Sequence, residues 1–108
     1  MPITVFSLYP NTTSSSHFNV DYYIQTHLPM VLKTWQPHGL QDVKLVSIAS
    51  DVDGSPAAFR MIAIMTWESP EKLREAFGDS KTTEILGDTA NYTDTIPQVC
   101  WGEVVWGV

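Results

Sequence analysis

The stretch 58–67 constrains the fold more than any other part of this sequence. Successive side chains of a strand point to opposite faces, so these residues divide into two rows. The rows are Phe59, Met61, Ala63 and Met65 on one face and Arg60, Ile62, Ile64 and Thr66 on the other. Because the second half of this strand is apolar in both rows, both faces of its sheet have to be covered. With 108 residues, the chain forms one domain, 1–108, around a single core.

Three further stretches are typical of strands. Residues 3–9 and 43–49 are rich in β-branched and aromatic side chains. A turn at 51–56 leads from the second of these into 58–67, which predicts an antiparallel hairpin. A last strand is predicted to begin after Pro97 and to run to the C-terminus through Val99, Trp101, Val104 and Trp106.

The first helix is predicted to span 19–35, after a polar loop at 11–16. Asn19 is a good N-cap, and Phe18 and Tyr23 occupy the two positions of a hydrophobic staple. Pro37 and Gly39 end the helix. The face that meets the rest of the protein is predicted to carry Tyr23, His27, Met30, Val31, Thr34 and Trp35.

Pro29 lies well inside this first helix. It has no N–H to donate, so the carbonyl of Gln25 should lose its helical partner. We therefore expect a kink that leaves polar backbone beside His27.

A second helix begins at Ser69, which caps it, and Pro70 takes the tolerated first position. Its inner face is predicted to consist of Leu73, Ala76 and Phe77. Gly78 and Gly87 bracket a less regular stretch, in which we expect a short extra helical turn around Ile85 and Leu86.

The order of elements is β-α-β-β-α-β, which predicts an α+β, ferredoxin-like subunit: a four-stranded antiparallel sheet with both helices on one face. The other face then needs a cover of its own. With 44% apolar and only 17% charged residues, the chain has more apolar surface than a small monomer readily hides. A second copy packed sheet against sheet is the simplest cover, so we expect a homodimer.

The net charge and the single cysteine restrict the possible partners and the cellular compartment of the protein. A net charge of -6 disfavours nucleic acid and anionic membrane surfaces as partners. Cys100 has no partner for an intramolecular disulfide, and its apolar neighbours predict a buried, inert thiol. With no apolar run of membrane-spanning length and no secretion signal, we expect a cytoplasmic protein.

The sequence offers no pattern for a metal or a nucleotide cofactor. His17, His27 and His38 do not have the spacing that places two ligands on one helix face. The glycines are isolated, so no phosphate-binding loop is predicted, and we expect no cofactor.

What remains is general acid–base chemistry in an apolar pocket. His27 is the natural agent, because imidazole exchanges protons near neutral pH. Tyr23 is the second candidate catalytic residue. Candidate substrate-binding residues are Tyr22, Met30, Val31, Trp35, Tyr92 and Asp94. Core packing remains the alternative for His27 and for the three tyrosines, and the core or the dimer interface is the alternative for Trp35.

The sequence also resembles the EthD family, named for a protein of ethyl tert-butyl ether degradation, within the dimeric α+β barrel superfamily. The resemblance covers nearly the whole chain. It rests on Phe18-Asn19-Val20-Asp21-Tyr22-Tyr23, His27, Pro29, Met30, Gly39-Leu40, Trp67-Glu68-Ser69-Pro70-Glu71, Asp88, Asn91-Tyr92-Thr93-Asp94, Pro97 and Glu103-Val104. It implies a ferredoxin-like subunit, a homodimer and a pocket between helices and sheet.

Three functions follow as hypotheses. The first is a cofactor-independent enzyme of the oxidoreductase, dehydratase, cyclase or isomerase type, acting at His27 on a small aromatic, lactone or polyketide-like substrate. The second is an accessory protein that binds and delivers a hydrophobic intermediate in an oxidative or biosynthetic pathway. The third is a purely structural dimer, which predicts no cavity at all. The resemblance implies the reaction far less firmly than the fold.

Overall fold

The computed structural model describes residues 1–11 and 17–108. Four strands form one antiparallel sheet: β1 (Ile3–Pro10), β2 (Leu40–Ser47), β3 (Phe59–Trp67) and β4 (Gln98–Gly102), in the order β2-β3-β1-β4. This confirms the ferredoxin-like α+β fold. The predicted loop at 11–16 lies outside the described residues except for Asn11.

The first helical segment has three parts: α1 (Val20–Tyr22), a π-helical turn (Tyr23–His27) and α2 (Leu28–Trp35). The Asn19 side chain accepts from the backbone N–H of Tyr22, which confirms it as the N-cap. In the π turn the N–H of Leu28 donates to the carbonyl of Tyr23. A wider turn thus lies shortly before Pro29, whereas the predicted kink and the unpartnered Gln25 carbonyl stay predictions.

The second half of the chain is more helical than the sequence suggested. Ser69 caps α3 (Pro70–Phe77), as predicted. The stretch between the two glycines forms a regular helix, α4 (Ser80–Gly87), followed by a 3₁₀ turn (Asp88–Asn91). The prediction of a short helical turn was wrong because Asp79 caps α4, accepting from the backbone N–H of Lys81.

Two predictions for the last strand were also wrong. β4 ends at Gly102 and does not continue to Trp106. Its neighbour β1 begins at Ile3, and Gly102 already pairs with Thr4. Residues after Gly102 therefore have almost no part of β1 left to pair with. The Cys100 thiol is exposed in the described chain and not buried, because its neighbour Phe6 lies on the sheet face that no helix covers.

The core beneath the helices has two parts. One cluster gathers Ile3, Val5, Val31, Trp35, Leu40, Met65, Trp67, Ala76 and Ile85. The other gathers Tyr9, Tyr23, Met61 and Tyr92. Along β1, Ser7 lies between the two clusters, and along β3 its cross-strand neighbour Ala63 does the same. The core therefore thins at a pair of small residues near the middle of the sheet.

Within residues 1–11 and 17–108, no helix has the length and apolar character needed to cross a membrane.

Candidate functional site

A cavity of about 80 Å³ lies at this thin place, between the helices and the sheet. Its walls combine the aliphatic and tryptophan side chains of the first core cluster with the tyrosines of the second. From the helices come Tyr23, His27, Leu28, Val31, Trp35, Leu73, Phe77, Ile85 and Leu86. From the sheet come Val5, Ser7, Tyr9, Val43, Met65, Trp67 and Val99, and the 3₁₀ turn and the loop after it add Thr89, Tyr92 and Pro97.

The cavity has an exposed apolar edge. Phe77 at the end of α3, Leu86 in α4 and Val99 in β4 line it and are 46%, 53% and 54% exposed. Of the other helical wall residues, Leu28 and Leu73 are partly buried, and the rest are buried: Tyr23, His27, Val31, Trp35 and Ile85. The exposed side chains mark the place where the cavity meets solvent.

His27 supplies an imidazole to the cavity wall. It ends the π turn and is only 4% exposed. Its ring lies between Tyr23 and Tyr92, with ring centroids 4.8 Å and 4.7 Å away. His27 Nδ1 lies 2.9 Å from Asp88 Oδ2. Since that nitrogen is held by a carboxylate, Nε2 is the nitrogen left to meet a ligand.

Asp88 is a buried carboxylate that collects three donors. Oδ2 accepts from His27 Nδ1, and Oδ1 accepts from the Tyr22 hydroxyl at 2.7 Å and from Asn91 Nδ2 at 2.8 Å. An ionised carboxylate can only accept hydrogen bonds, so the neutral imidazole must carry its proton on Nδ1. The tautomer that results has a free lone pair on Nε2.

The pKa shifts of this pair agree with a neutral imidazole beside an ionised carboxylate. Burial lowers the pKa of His27, and the hydrogen bond to Asp88 and its charge oppose that effect only in part. For Asp88, burial alone would raise the pKa, but the hydrogen bonds from Asn91, Tyr22 and His27 outweigh it, and the pKa is lowered. At neutral pH, the His27 imidazole is therefore neutral, and its Nε2 can accept a proton.

Tyr23 and Tyr92, whose rings contact the His27 ring, stay protonated. The Tyr9 and Tyr92 hydroxyls lie 2.9 Å apart. Burial is the main cause that raises the pKa of Tyr23 and of Tyr92 far above the ordinary range. These hydroxyls can orient a ligand but are poor proton acceptors.

The late loop, residues 92–97 between the 3₁₀ turn and β4, reaches the cavity because hydrogen bonds connect it to the start of α1. The N–H of Asn19 donates to the carbonyl of Tyr92 at 2.7 Å, and Phe18 forms an isolated bridge with Thr93. Asp94 belongs to the same connection, since its Oδ1 accepts from the backbone N–H of His17. These bonds bring Tyr92 over the His27 ring.

The structure brings five of the eight predicted site residues into the cavity wall: Tyr23, His27, Val31, Trp35 and Tyr92. The other three lie elsewhere. Tyr22 contacts Asp88 instead. Met30 lines a separate surface groove with Lys33 and Glu84, and Asp94 is exposed on the loop. Whether any of the eight contacts a substrate remains a prediction.

Sequence reasoning missed three polar residues of this region. Asp88 was noted only within the resemblance, although it lies three residues before Asn91, a spacing that lets the two side chains meet on a helical turn. Ser7 is the polar member of the otherwise apolar inward row of β1, a signal visible in the sequence. Trp67 was likewise noted only within the resemblance. It is fully buried in the cavity wall, and its Nε1 has no hydrogen-bond partner in the described part of the chain.

The sheet order, the connectivity and the cavity beneath the helices define a ferredoxin-like α+β protein. A family model described as the EthD domain matches residues 12–96, and this chain belongs to the EthD family. A comparison with curated proteins gives no match.

Solved structures of the same fold agree with the family. An EthD-like protein from Ralstonia eutropha JMP134 is 31% identical, with 99% of this chain and 95% of that chain covered and a TM-score of 0.85. An EthD family protein from Bacillus halodurans C-125 is 20% identical, with coverages of 97% and 100% and a TM-score of 0.74. SnoaB, a cofactor-independent oxygenase from Streptomyces nogalater, is 8% identical, with coverages of 99% and 96% and a TM-score of 0.70. At 20% and 8% identity, the likeness concerns the fold alone.

Proposed function

We propose that this protein is a small enzyme in which His27 Nε2 acts as a general base, and then as a general acid, on an apolar substrate bound in the cavity. The observation that carries the proposal is the buried His27–Asp88 pair, with Nδ1 held at 2.9 Å from the carboxylate while the ring lines an apolar cavity. A purely structural protein would not need a cavity there. The cavity is what the enzyme and the carrier hypotheses both require.

The proton transfer follows from the geometry. Nε2 takes a proton from a hydroxyl or an acidic C–H group of the substrate, and the imidazolium that forms is stabilised by the Asp88 carboxylate. Tyr22 and Asn91 keep that carboxylate ionised by donating to its other oxygen. The proton then returns to another atom of the substrate. Dehydration, cyclisation, isomerisation and cofactor-independent oxygenation all begin with such a step, and the fold is shared with a cofactor-independent oxygenase.

The walls favour a small aromatic, lactone or polyketide-like molecule. A volume of about 80 Å³ is roughly half that of an apolar cavity, of about 150 Å³, that holds benzene. The reacting end of the substrate therefore lies inside, and its remainder lies along the exposed edge formed by Phe77, Leu86 and Val99.

A carbon acid that needs only a base tests this proposal. With 5-nitrobenzisoxazole, removal of the C3 proton breaks the N–O bond and releases a coloured phenolate. We expect saturable turnover that falls by about 10²-fold or more in His27→Gln, in line with the usual contribution of a positioned base. The matched control is His38→Gln, because His38 also lies 2.9 Å from an aspartate, Asp79, but is more exposed and does not line the cavity.

The outcomes separate the two remaining hypotheses. Equal rates for the wild-type protein and His27→Gln would refute the role of His27 as a base. If the probe competes with other apolar ligands but is not turned over, the protein is an accessory binding protein, which is the alternative function.

We also propose a homodimer that covers the outer face of the sheet. Phe6, Leu8, Ile62 and Ile64 share this face, on neighbouring strands β1 and β3, and the pairing of Phe6 with Ile64 and of Leu8 with Ile62 makes a continuous apolar surface. The helices lie on the other side. A second copy packed with the same face against it would bury this apolar surface.

A further inference from the structure

Ser7 interrupts an apolar row on the inner face of β1. Its neighbours in that row, Val5 and Tyr9, are buried core residues, and Ser7 itself is only 7% exposed. Its cross-strand neighbours are Ala63 in β3 and Val99 in β4. Because Ser7 and Ala63 are both small, the sheet leaves space above them, and this space is part of the cavity that Ser7 lines.

The Ser7 hydroxyl has no assigned role within the protein. Among the described residues, no hydrogen bond of its oxygen is found, whereas the buried hydroxyls of Thr82 and Thr93 donate to the backbone carbonyls of Ala76 and His17. The buried side-chain atoms without a partner in the described part of the chain are Arg60 Nη1 and Trp67 Nε1, so the Ser7 oxygen is open to the cavity that its residue lines. A hydroxyl in an apolar cavity still needs a hydrogen-bond partner. A ligand in the cavity would supply that partner.

The cavity thus has one polar group on its helical side and another on its sheet side. His27 reaches it from the helical layer and Ser7 from the sheet, while aromatic and aliphatic side chains form most of the wall between them. An apolar ligand with a single oxygen can satisfy one of these groups. A ligand with two oxygen functions can satisfy both at once.

We propose that Ser7 is a ligand-binding residue, and that the cavity selects ring compounds whose inserted end carries two oxygen functions, one bound at His27 Nε2 and the other at the Ser7 hydroxyl. This inference rests on the proposed function, since it requires a ligand in the cavity. Beyond that function, the inference specifies that the ligand carries two polar groups and that Ser7 recognises the second one. Replacing Ser7 by alanine removes the hydroxyl and leaves the space almost unchanged.

The test uses phenol and the three benzenediols as probes, with affinities measured by NMR titration of the methyl signals of the cavity wall. We expect at least one benzenediol to bind about 2- to 10-fold more tightly than phenol, the worth of one neutral hydrogen bond. In Ser7→Ala this preference should vanish while the affinity for phenol stays the same. Ser80→Ala, at an exposed serine at the start of α4, is the matched control and should keep the preference.

Each other result overturns the inference in a distinct way. If a benzenediol keeps its advantage in Ser7→Ala, or never has one, Ser7 does not recognise a second oxygen. If Ser7→Ala weakens phenol as much as the diols, Ser7 acts through packing. If no probe shifts any wall signal, the idea of a small aromatic ligand falls as well. The base role of His27 is tested separately by the benzisoxazole assay, so the two proposals can fail independently.

Discussion

Replacing Asp88 by asparagine should move a proton from one nitrogen of His27 to the other. The two oxygens of Asp88 are not equivalent, because Oδ1 accepts two hydrogen bonds and Oδ2 accepts one. An asparagine will therefore place its oxygen toward Tyr22 and Asn91 and its NH2 group toward His27. Since that NH2 group can only donate, Nδ1 must become the acceptor, and the proton moves to Nε2.

The energetic cost can be worked from the same contacts. Hydrogen bonds to a charged group contribute about 1.5–3 kcal/mol and neutral ones about 0.5–1.5 kcal/mol, so three bonds that each weaken by about 1 kcal/mol set an upper limit of about 3 kcal/mol. Removing a buried charge recovers part of that loss. We expect Asp88→Asn to lower the free energy of unfolding by about 1–3 kcal/mol. The protein should stay folded, because no volume is lost.

The effect on catalysis should exceed the effect on stability. With the proton on Nε2, the lone pair that faces the substrate is gone, and turnover of the benzisoxazole probe should fall by about 10²-fold or more. Two-dimensional ¹H–¹⁵N spectra of the imidazole ring report the tautomer directly. We expect a protonated Nδ1 in the wild-type protein and a protonated Nε2 in Asp88→Asn.

Asp79→Asn is the matched control for this experiment. Asp79 Oδ2 also lies 2.9 Å from a histidine nitrogen, His38 Nε2, but this pair is about one quarter exposed and does not line the cavity. Asparagine caps helices as well as aspartate does, so α4 should keep its start and turnover should not change. The reasoning is refuted if Asp88→Asn leaves Nδ1 protonated, or if both variants lose activity equally.

Two further predictions concern pH and assembly. Because burial lowers the pKa of His27, the unfolded chain binds more protons than the folded one below about pH 6.5, so the free energy of unfolding should fall as the pH drops through this value. Thermal melts between pH 7.5 and 5 should show a smaller fall in His27→Gln, and equal falls would refute the lowered pKa. Ile64→Lys should convert a dimer to a monomer in analytical ultracentrifugation, whereas Val52→Lys in the exposed turn should not. A wild-type protein that sediments as a monomer would remove the basis for the proposed dimer.

Much of the fold was predictable because local signals and the global arrangement agree. The two rows predicted for β3 are present, and the row with Met61, Ala63 and Met65 is the one buried beneath the helices. Asn19 and Ser69 cap their helices as their side chains suggest. These predictions depend on periodicity and on short-range hydrogen bonds, and both are determined by residues that are close in the sequence.

Features that depend on distant partners were harder to predict. The end of β4 is set by where β1 begins, about 100 residues earlier in the chain. The exposure of Cys100 is set by which face the helices cover. In α4, Gly78 and Gly87 suggested irregular structure, but Thr82 and Ile85 are buried against the rest of the core and hold the helix in place.

The candidate site was predictable in part. The burial of His27 followed from the helical periodicity. Its partner Asp88 lies 61 residues away, and no spacing rule connects them. Ser7 and Ala63, the small residues of the sheet beside the cavity, are likewise a cross-strand pair that can be recognised only when the register of the sheet is known.

The π turn has a consequence for the alignment of the cavity wall. In an ideal α-helix each residue turns by about 100°, so residues spaced by four drift around the axis by about 40° per step. Tyr23, His27, Val31 and Trp35 are spaced in this way, and over three steps the row would swing by about 120°, a third of the circumference. The wider turn at Tyr23–His27 rotates the chain less per residue and cancels part of this drift. All four side chains are therefore buried and line the same cavity, so that one helical segment supplies both its tyrosine end and its tryptophan end, with the imidazole between them.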